Sequence, residues 1–228
     1  MERVERFSNV MERRIFIFFG PPGSGKGTQA LLLGEKLNLP VISTGELFRR
    51  EEELDTNLGK KVKKITRRGG LVPDGIVAKI IKNRIAEKDA RKGFILDGYP
   101  RTKRQFGFLS EIVKEKMVFI FINVSDKEVK KRLGERRACK CGEVYHLTFK
   151  KPKTSGICDS CGGTLFIRKD DRKEVIARRL KIYHAKTEPL IEYAGKAGKV
   201  FVMDGEEKIQ EIKKDILKRI KNLYSSKR

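Results

Sequence analysis

The sequence predicts an α/β fold, a five-stranded parallel sheet with helices on both faces, and three observations carry that reading. Five short apolar, β-favouring runs recur at Ile15 to Phe19, Leu39 to Ile42, Gly93 to Asp97, Met117 to Val124 and Lys199 to Asp204. Segments of helical periodicity separate them, the alternation that builds a parallel sheet. The first run enters a glycine-rich turn and then a helix, the context that a phosphate-cradling loop requires. The third ends on Asp97 with Arg101 four residues later, at the carboxyl end of a strand, where open α/β sheets bind ligands.

Length and charge narrow the classes. A chain of 228 residues suits one core with small inserted lobes rather than two independent domains. Lys and Arg outnumber Asp and Glu by 53 to 30, a net charge of +23 that calls for anionic partners. Nucleic acid is disfavoured as the main one: the basic residues are scattered through helical segments, Trp is absent, and no interleaved aromatics appear. No apolar run approaches the ~18 residues needed to span a bilayer, and Ile15 to Phe19 is too short for the core of a secretory signal. A soluble, cytoplasmic protein without a membrane partner is expected. Residues 1–13, charged and without a core pattern, read as an N-terminal extension in which Met11 is an alternative start.

The elements follow in order. In Gly20-Pro21-Pro22-Gly23-Ser24-Gly25-Lys26-Gly27-Thr28, glycine allows backbone angles closed to other residues. Successive N–H groups can then turn on an anion at the positive end of the next helix, while Lys26 adds a point charge. The spacing fits the general phosphate-loop pattern, but Gly27 stands where a Mg²⁺-binding Ser or Thr is usual, which disfavours GTPases and motor ATPases. The second run ends at Ser43-Thr44, where Ser or Thr can cap a new helix, and residues 51–68 read as a charged helical stretch stopped by Gly69-Gly70. After Leu71-Val72-Pro73-Asp74 a helix carries Ile76, Val77, Ile80, Ile81 and Ile85 on a core face. Asp97 is placed to anchor Mg²⁺ through water, and Arg101 to reach a phosphoryl group, a buried ion pair between them being the alternative. Ser125 and Glu128 form a capping box opening a helix that is expected to carry Arg132, Arg136 and Arg137, the first two on one face. A long helix is expected from Asp171 past Ile176, Leu180 and Tyr183. Ile209, Ile212, Ile216, Ile220 and Leu223 make a closing amphipathic helix.

Four cysteines fall within 23 residues, as Cys139-x-Cys141 and Cys158-x2-Cys161. In an intracellular chain two close pairs read as a tetrahedral Zn²⁺ site, and a lobe too small to bury a core gains a staple from the metal. Two disulfides are the alternative, disfavoured by the compartment. With four cysteines present, His146 reads as a packed or hydrogen-bonded aromatic rather than a ligand.

These motifs together resemble the adenylate kinases over about residues 14–224. The Gly-Lys-Gly-Thr loop is similar to that of nucleoside monophosphate kinases, and Asp97-Gly98-Tyr99-Pro100-Arg101-Thr102 to their signature. The cysteine segment, with Val144-Tyr145-His146 and Arg168-Lys169-Asp170-Asp171, is similar to the zinc-bearing LID of the long forms. The resemblance implies a P-loop NTPase-like three-layer sandwich with a core of residues 14–42, 73–134 and 172–228, a monophosphate-binding lobe at 43–72 and a LID at 135–171. It implies phosphoryl transfer from Mg-ATP to AMP giving two ADP, with structural Zn²⁺, in a chain that is monomeric by the family's habit. It puts ATP on Gly23, Ser24, Gly25, Lys26, Gly27, Thr28, Arg132 and Arg136, with Arg132 on the base. AMP falls on Thr44, Arg49, Leu71, Val72, Gly98, Arg101, Gln105, Arg168 and Arg179, with Gln105 reading the base. Lys26, Asp97, Arg101, Arg136, Arg168 and Arg179 take the chemistry, and Cys139, Cys141, Cys158 and Cys161 the zinc. One departure concerns the metal: the family's first pair is Cys-x2-Cys, and the single Lys140 here removes the usual turn and leaves the ligation of Cys139 in question. UMP/CMP kinases and GTP:AMP phosphotransferases share the loop and signature. Thr44, Leu71, Val72 and Gln105 favour AMP, while the donor base is less constrained. A basic zinc module binding RNA is the reading outside the enzyme class.

Overall fold

The computed structural model describes residues 13–54 and 56–225; the expected extension lies outside the described residues except for its last member. Arg13 belongs to the core instead. Its guanidinium donates to the carbonyls of Ile85 (2.9 Å) and Ala90 (3.2 Å) and lies 5.0 Å from the Phe94 ring centre.

Five strands, β1 (Arg14–Phe19), β2 (Val41–Ser43), β3 (Gly93–Asp97), β4 (Met117–Asn123) and β7 (Gly198–Asp204), form one parallel sheet in the order β2-β3-β1-β4-β7. Because side chains alternate across a strand, β1 sends Ile15, Ile17 and Phe19 to one face and Phe16 and Phe18 to the other. The first face packs against α4 (Asp74–Ile85), α5 (Lys103–Ile112) and α8 (Leu190–Ala197). The second packs against α1 (Lys26–Leu37), α6 (Asp126–Glu135), α7 (Lys173–Ile182) and α9 (Ile209–Ser225). Both faces are buried along β1, β3 and β4, so these strands read as unbroken apolar runs, while the edge strand β7 alternates buried Phe201 and Met203 with exposed Val202. No helix among the described residues is long and apolar enough to cross a membrane.

The structure corrects four local expectations. The charged helical stretch of 51–68 is two helices, α2 (Thr44–Glu53) and α3 (Asn57–Thr66), because the Thr56 hydroxyl caps α3 by accepting from the Gly59 N–H at 2.9 Å. Gly59 lets α3 press on α2, since a Cβ there would stand 2.3 Å from the Glu51 carbonyl oxygen. Arg136 is not on a helix face with Arg132: α6 ends at Glu135, and Arg136 opens β5 (Arg136–Ala138), which pairs antiparallel with β6 (Val144–His146). The helix expected from Asp171 does run past Ile176, Leu180 and Tyr183, but it begins at Lys173 and is not α-helical throughout. After α7 the chain widens into a π turn at Tyr183–Thr187, where Pro189 lacks a donor and its ring excludes the ordinary helical partner. Finally, the capping box at Ser125 is half formed. Ser125 Oγ accepts from the Glu128 N–H at 3.4 Å, but the Ser125 N–H goes to Glu206 at 2.9 Å, while Glu128 holds Arg132.

Candidate nucleotide site

The glycine loop between β1 and α1 takes its shape from close approaches that only glycine permits. A Cβ on Gly23 (φ +78°) would lie 2.8 Å from the Leu133 side chain, and one on Gly20 (φ +146°) 2.6 Å from the Ile122 carbonyl oxygen. The Gly25 φ of +91° then turns the chain into α1, whose N-terminal N–H groups face the loop without a side-chain cap, as an anion site needs. Ser24 Oγ is buried with no partner, a polar atom awaiting a ligand in this cradle. Lys26 folds back, its Nζ donating to the Pro21 carbonyl at 3.1 Å.

Opposite the loop, the end of β3 presents Asp97. Its Oδ2 accepts from Ser43 Oγ at 3.1 Å, and its Oδ1 is buried without a partner. A Cβ on Gly27 would stand 3.3 Å from Oδ2, so glycine at this position keeps the carboxylate clear. Thr44 Oγ donates to the Gly98 carbonyl at 3.0 Å, and Arg101 Nε donates to the same oxygen at 2.8 Å. Leu71, Gly98, Arg101, Arg179, Lys26 and Gly20 are among the residues that line a cavity of about 50 Å³ between these elements.

The cations converge on this cleft from four segments. Arg136 on β5 makes a two-point pair with the fully buried Asp171 carboxylate, at 2.7 and 2.5 Å, and Arg179 on α7 reaches Asp171 at 3.2 Å and Asp170 at 3.0 Å. Arg168 lies at the start of the short turn Lys169–Asp171, its Nε buried and unpartnered. Arg49 on α2 is held by Glu46, one turn earlier. Mutual repulsion follows. Burial, then the Arg136 and Arg49 guanidiniums, push Arg168 down to about 10. Lys26 keeps partial exposure, yet burial lowers it to about 8; Asp97 opposes the shift, and Arg101, Arg179 and Arg136 deepen it. Arg101 and Arg179 are lowered too, by burial first. Burial would raise Asp170, but Arg179, Arg136 and Arg168 together hold its carboxyl below the usual range. Six cations face four carboxylates, Asp97, Asp170, Asp171 and the Glu46 that pairs with Arg49, so the cleft keeps a net positive charge that suits a polyanion. The sequence pattern marked the arginines but gave the two aspartates no role. Their signal was present: two acidic residues more than two helical turns ahead of Arg179, in a stretch otherwise strongly basic. Asp171→Ala is expected to cost about 3–5 kcal/mol, the usual loss when a buried pair loses one partner, read as a shift of the denaturation midpoint.

Arg132 stands apart from this cluster. It donates to Glu128 at 2.8 Å and to the Gly205 carbonyl at 2.8 Å, and its guanidinium lies 5.5 Å from the ring centre of Phe149, an aromatic the sequence reading left without a role. Val72 is buried, Leu71 half-buried, and Gln105 is 2% exposed.

The four cysteines come together in the turns beside the small second sheet. Their sulfurs lie within 4.8 Å of one another, with Cys139 to Cys161 at 3.4 Å and Cys141 to Cys158 at 3.6 Å. The edge of a tetrahedron with Zn–S bonds of about 2.3 Å is about 3.8 Å, so the donor set fits that ion. The single-residue spacing does not displace Cys139. The turn is made just after the pair, where the Gly142 N–H donates to the Cys139 carbonyl at 3.1 Å with φ +99°. Burial alone would raise the Cys158 thiol, but the Tyr145 hydroxyl and the N–H groups of Cys161 and Ser160 bring it down to about 6. Cys161, despite the Gly163 N–H, is instead pushed up to about 12 by Cys139, Cys141 and Cys158, and Cys141 is raised as well. The four close thiols therefore do not all shed their protons without a cation among them. His146 is no part of this set; its Nδ1 accepts from the N–H groups of Thr148 (3.1 Å) and Phe149 (3.3 Å).

Fold and site together define a class, the phosphate-loop α/β proteins that gather Lys and Arg around one anion-binding cleft. Comparison with known proteins narrows it. The adenylate kinase family profile matches residues 18–199. The chain is 48% identical over 206 residues to the adenylate kinase of Thermosipho melanesiensis, covering 88% of this chain and 96% of that protein. It is 46% identical over 206 residues to that of Acetivibrio thermocellus, covering 88% and 95%. With that of Archaeoglobus fulgidus it shares 46% over 205 residues, 88% of this chain and 94% of the other. The chain belongs to the adenylate kinase family.

Proposed function

We propose that this chain catalyses reversible phosphoryl transfer from Mg-ATP to AMP, giving two ADP. The observation that carries the reading is the convergence of Lys26, Arg49, Arg101, Arg136, Arg168 and Arg179, in excess of the carboxylates beside them, on a glycine loop shaped for phosphates. Phosphoryl transfer needs its two nucleotides aligned and their charge neutralised more than it needs a covalent intermediate, and fixed cations in a half-buried cleft do both. The loop N–H groups and Lys26 hold the outer phosphates of ATP, with Ser24 and Thr28 at the loop's end and Arg132 against the base. Arg49 and Arg101 hold the phosphate of AMP. Arg136, Arg168 and Arg179 meet the transferred group, Asp171 keeping the first and last at the right height. Thr44, Leu71, Val72, Gly98 and Gln105 form the acceptor pocket.

Two metals fit the residues present. Asp97, with one oxygen unpartnered and a glycine in front of it, would anchor through water the Mg²⁺ that travels with ATP. That ion neutralises charge on the β- and γ-phosphates. Cys139, Cys141, Cys158 and Cys161 would hold structural Zn²⁺, fixing the shape of residues 135–171 as a LID over the donor. Residues 43–72 act as the lobe that receives AMP, the remainder as the core, and the chain works as a cytoplasmic monomer.

A coupled assay with ATP as donor and AMP, UMP and CMP as acceptors tests the reading. AMP is expected to be the preferred acceptor, and preference for UMP or CMP would reassign the enzyme. Arg49→Ala is expected to raise the KM for AMP by about tenfold or more, the worth of a charged hydrogen bond, while the KM for ATP holds. Equal loss on both substrates would contradict separate pockets.

A further inference from the structure

Asp74, the first residue of α4, touches the residue that the acceptor reading places against the base. Gln105 is buried on α5, and each end of its side-chain amide makes one hydrogen bond. Its Nε2 donates to Asp74 Oδ1 at 2.8 Å, and its Oε1 accepts from the Arg101 backbone N–H at 2.8 Å. The Tyr99 hydroxyl donates to the Gln105 carbonyl at 3.1 Å, and the Gln105 N–H donates to Thr102 Oγ at 3.1 Å, so the backbone beneath the amide is pinned as well.

A primary amide is nearly symmetric in shape, and its orientation is set by its partners. Here neither partner is ambiguous. As a carboxylate Asp74 offers only lone pairs, and a backbone N–H offers only a proton. Turning the amide over would set Oε1 against the carboxylate and Nε2 against the N–H, two repulsive contacts for a residue that is 2% exposed. Each end keeps one group uncommitted, a lone pair on Oε1 and a hydrogen on Nε2. That pair complements the 6-amino donor and N1 acceptor of adenine. Hypoxanthine and guanine present the reverse pattern, a 6-oxo acceptor and an N1–H donor, and would need the amide turned over.

We propose that Asp74 is a positioning residue that locks the Gln105 amide in one orientation, and so makes the acceptor pocket selective for 6-aminopurine over 6-oxopurine monophosphates. The proposal rests on the assignment of AMP as acceptor and of Gln105 to its base. Arg101 supplies the other half of the lock from the same residue whose guanidinium faces the phosphate, so base reading and phosphate binding share one backbone segment.

The test compares kcat/KM for AMP and IMP, with ATP as donor, in the wild-type enzyme and in Asp74→Asn and Asp74→Ser. Both replacements can donate as well as accept, and both keep a short polar side chain at the start of α4. Wild type is expected to favour AMP. In the variants the AMP-to-IMP ratio is expected to fall by about tenfold, the worth of one mispaired hydrogen bond, through the KM for AMP, with the KM for ATP unchanged within about twofold. A ratio within twofold of wild type in folded variants overturns the proposal. So does parallel loss on AMP, IMP and ATP, or loss of the fold in both variants, since either would make Asp74 a support for α4 only. A wild-type enzyme that phosphorylates neither nucleotide refutes the acceptor assignment itself, which separates that failure from this one.

Discussion

Lys26→Ala is expected to lower kcat by about a thousandfold or more, the scale of losing a preorganised charge at a transferring group, while the folded state becomes no less stable. The two halves have one cause. The Lys26 ammonium sits at the mouth of a loop whose neighbouring cations are Arg101, Arg136 and Arg179, and burial with their repulsion holds it down to about 8. A cation lowered in this way is disfavoured by the fold and kept for its ligand. The sign is definite. Below pH 8 the amine is charged in both folded and unfolded chains and the full penalty is present. Between pH 8 and the ordinary value of 10.5 only the unfolded chain keeps the proton, so wild-type stability gains from this group as pH rises. Lys26→Ala should lack that gain, which denaturant midpoints measured from pH 7 to 10 would show. Binding runs the other way: the phosphates of ATP favour the ammonium, so the KM for ATP should climb above pH 8 by at most about tenfold per unit. A variant within tenfold of wild-type turnover, or one unfolded at pH 7, would refute this account of the loop.

What the sequence disclosed and what it withheld divide along a physical line. Features that a chain imposes on itself locally were legible. Buried strands show as apolar runs, the phosphate loop shows as glycines where positive φ and close approach require them, and the cysteine pairs show by spacing. Features set by long-range partners were not. Nothing in Ser125-x-x-Glu128 announces that the Ser125 N–H will be taken by Glu206, 81 residues away. Arg136 continues a helical pattern by sequence, yet its pairing across the small sheet, Arg136 with His146, takes it out of α6 and turns it towards Asp171. The break between α2 and α3 was within reach, since Thr56 ahead of Asn57 is a cap pattern; the run of charges hid it. Asp74 looked like an ordinary first-turn acid, which favours a helix start on its own account. Its second use appears only when α5 brings Gln105 beside it.

Cys158→Ser is expected to abolish metal binding and to unfold the small lobe while the core stays folded. The lobe's apolar cluster is Cys139, Tyr145 and Cys158 with Leu165 against it, far too little to offset the entropy of ordering residues 135–171. Two of these are metal-ligand candidates, so metal affinity and lobe folding are one free energy, of order 10 kcal/mol in small zinc modules. Cys158 is the ligand candidate with most at stake. It is 1% exposed, its N–H donates to the Gly163 carbonyl at 2.9 Å, and its sulfur lies 3.5 Å from the Tyr145 hydroxyl. About one zinc per chain is expected in the wild type, resistant to mild chelation at neutral pH, and none in the variant. The first calorimetric transition should be lost or lowered well below the core transition. Some phosphoryl transfer should survive, because Lys26, Arg49, Arg101 and Arg179 lie outside the lobe, but the loss of placement of Arg136 and Arg168 should depress it strongly. With Cys139 Sγ 3.4 Å from Cys161 Sγ, Cys139→Ser should lose metal as fully as the other three replacements. Metal retained by Cys139→Ser alone would mean a three-cysteine site. Wild-type protein that is metal-free from zinc-replete, reducing preparations, with all four thiols titratable, would mean that the sulfur cluster serves no ion.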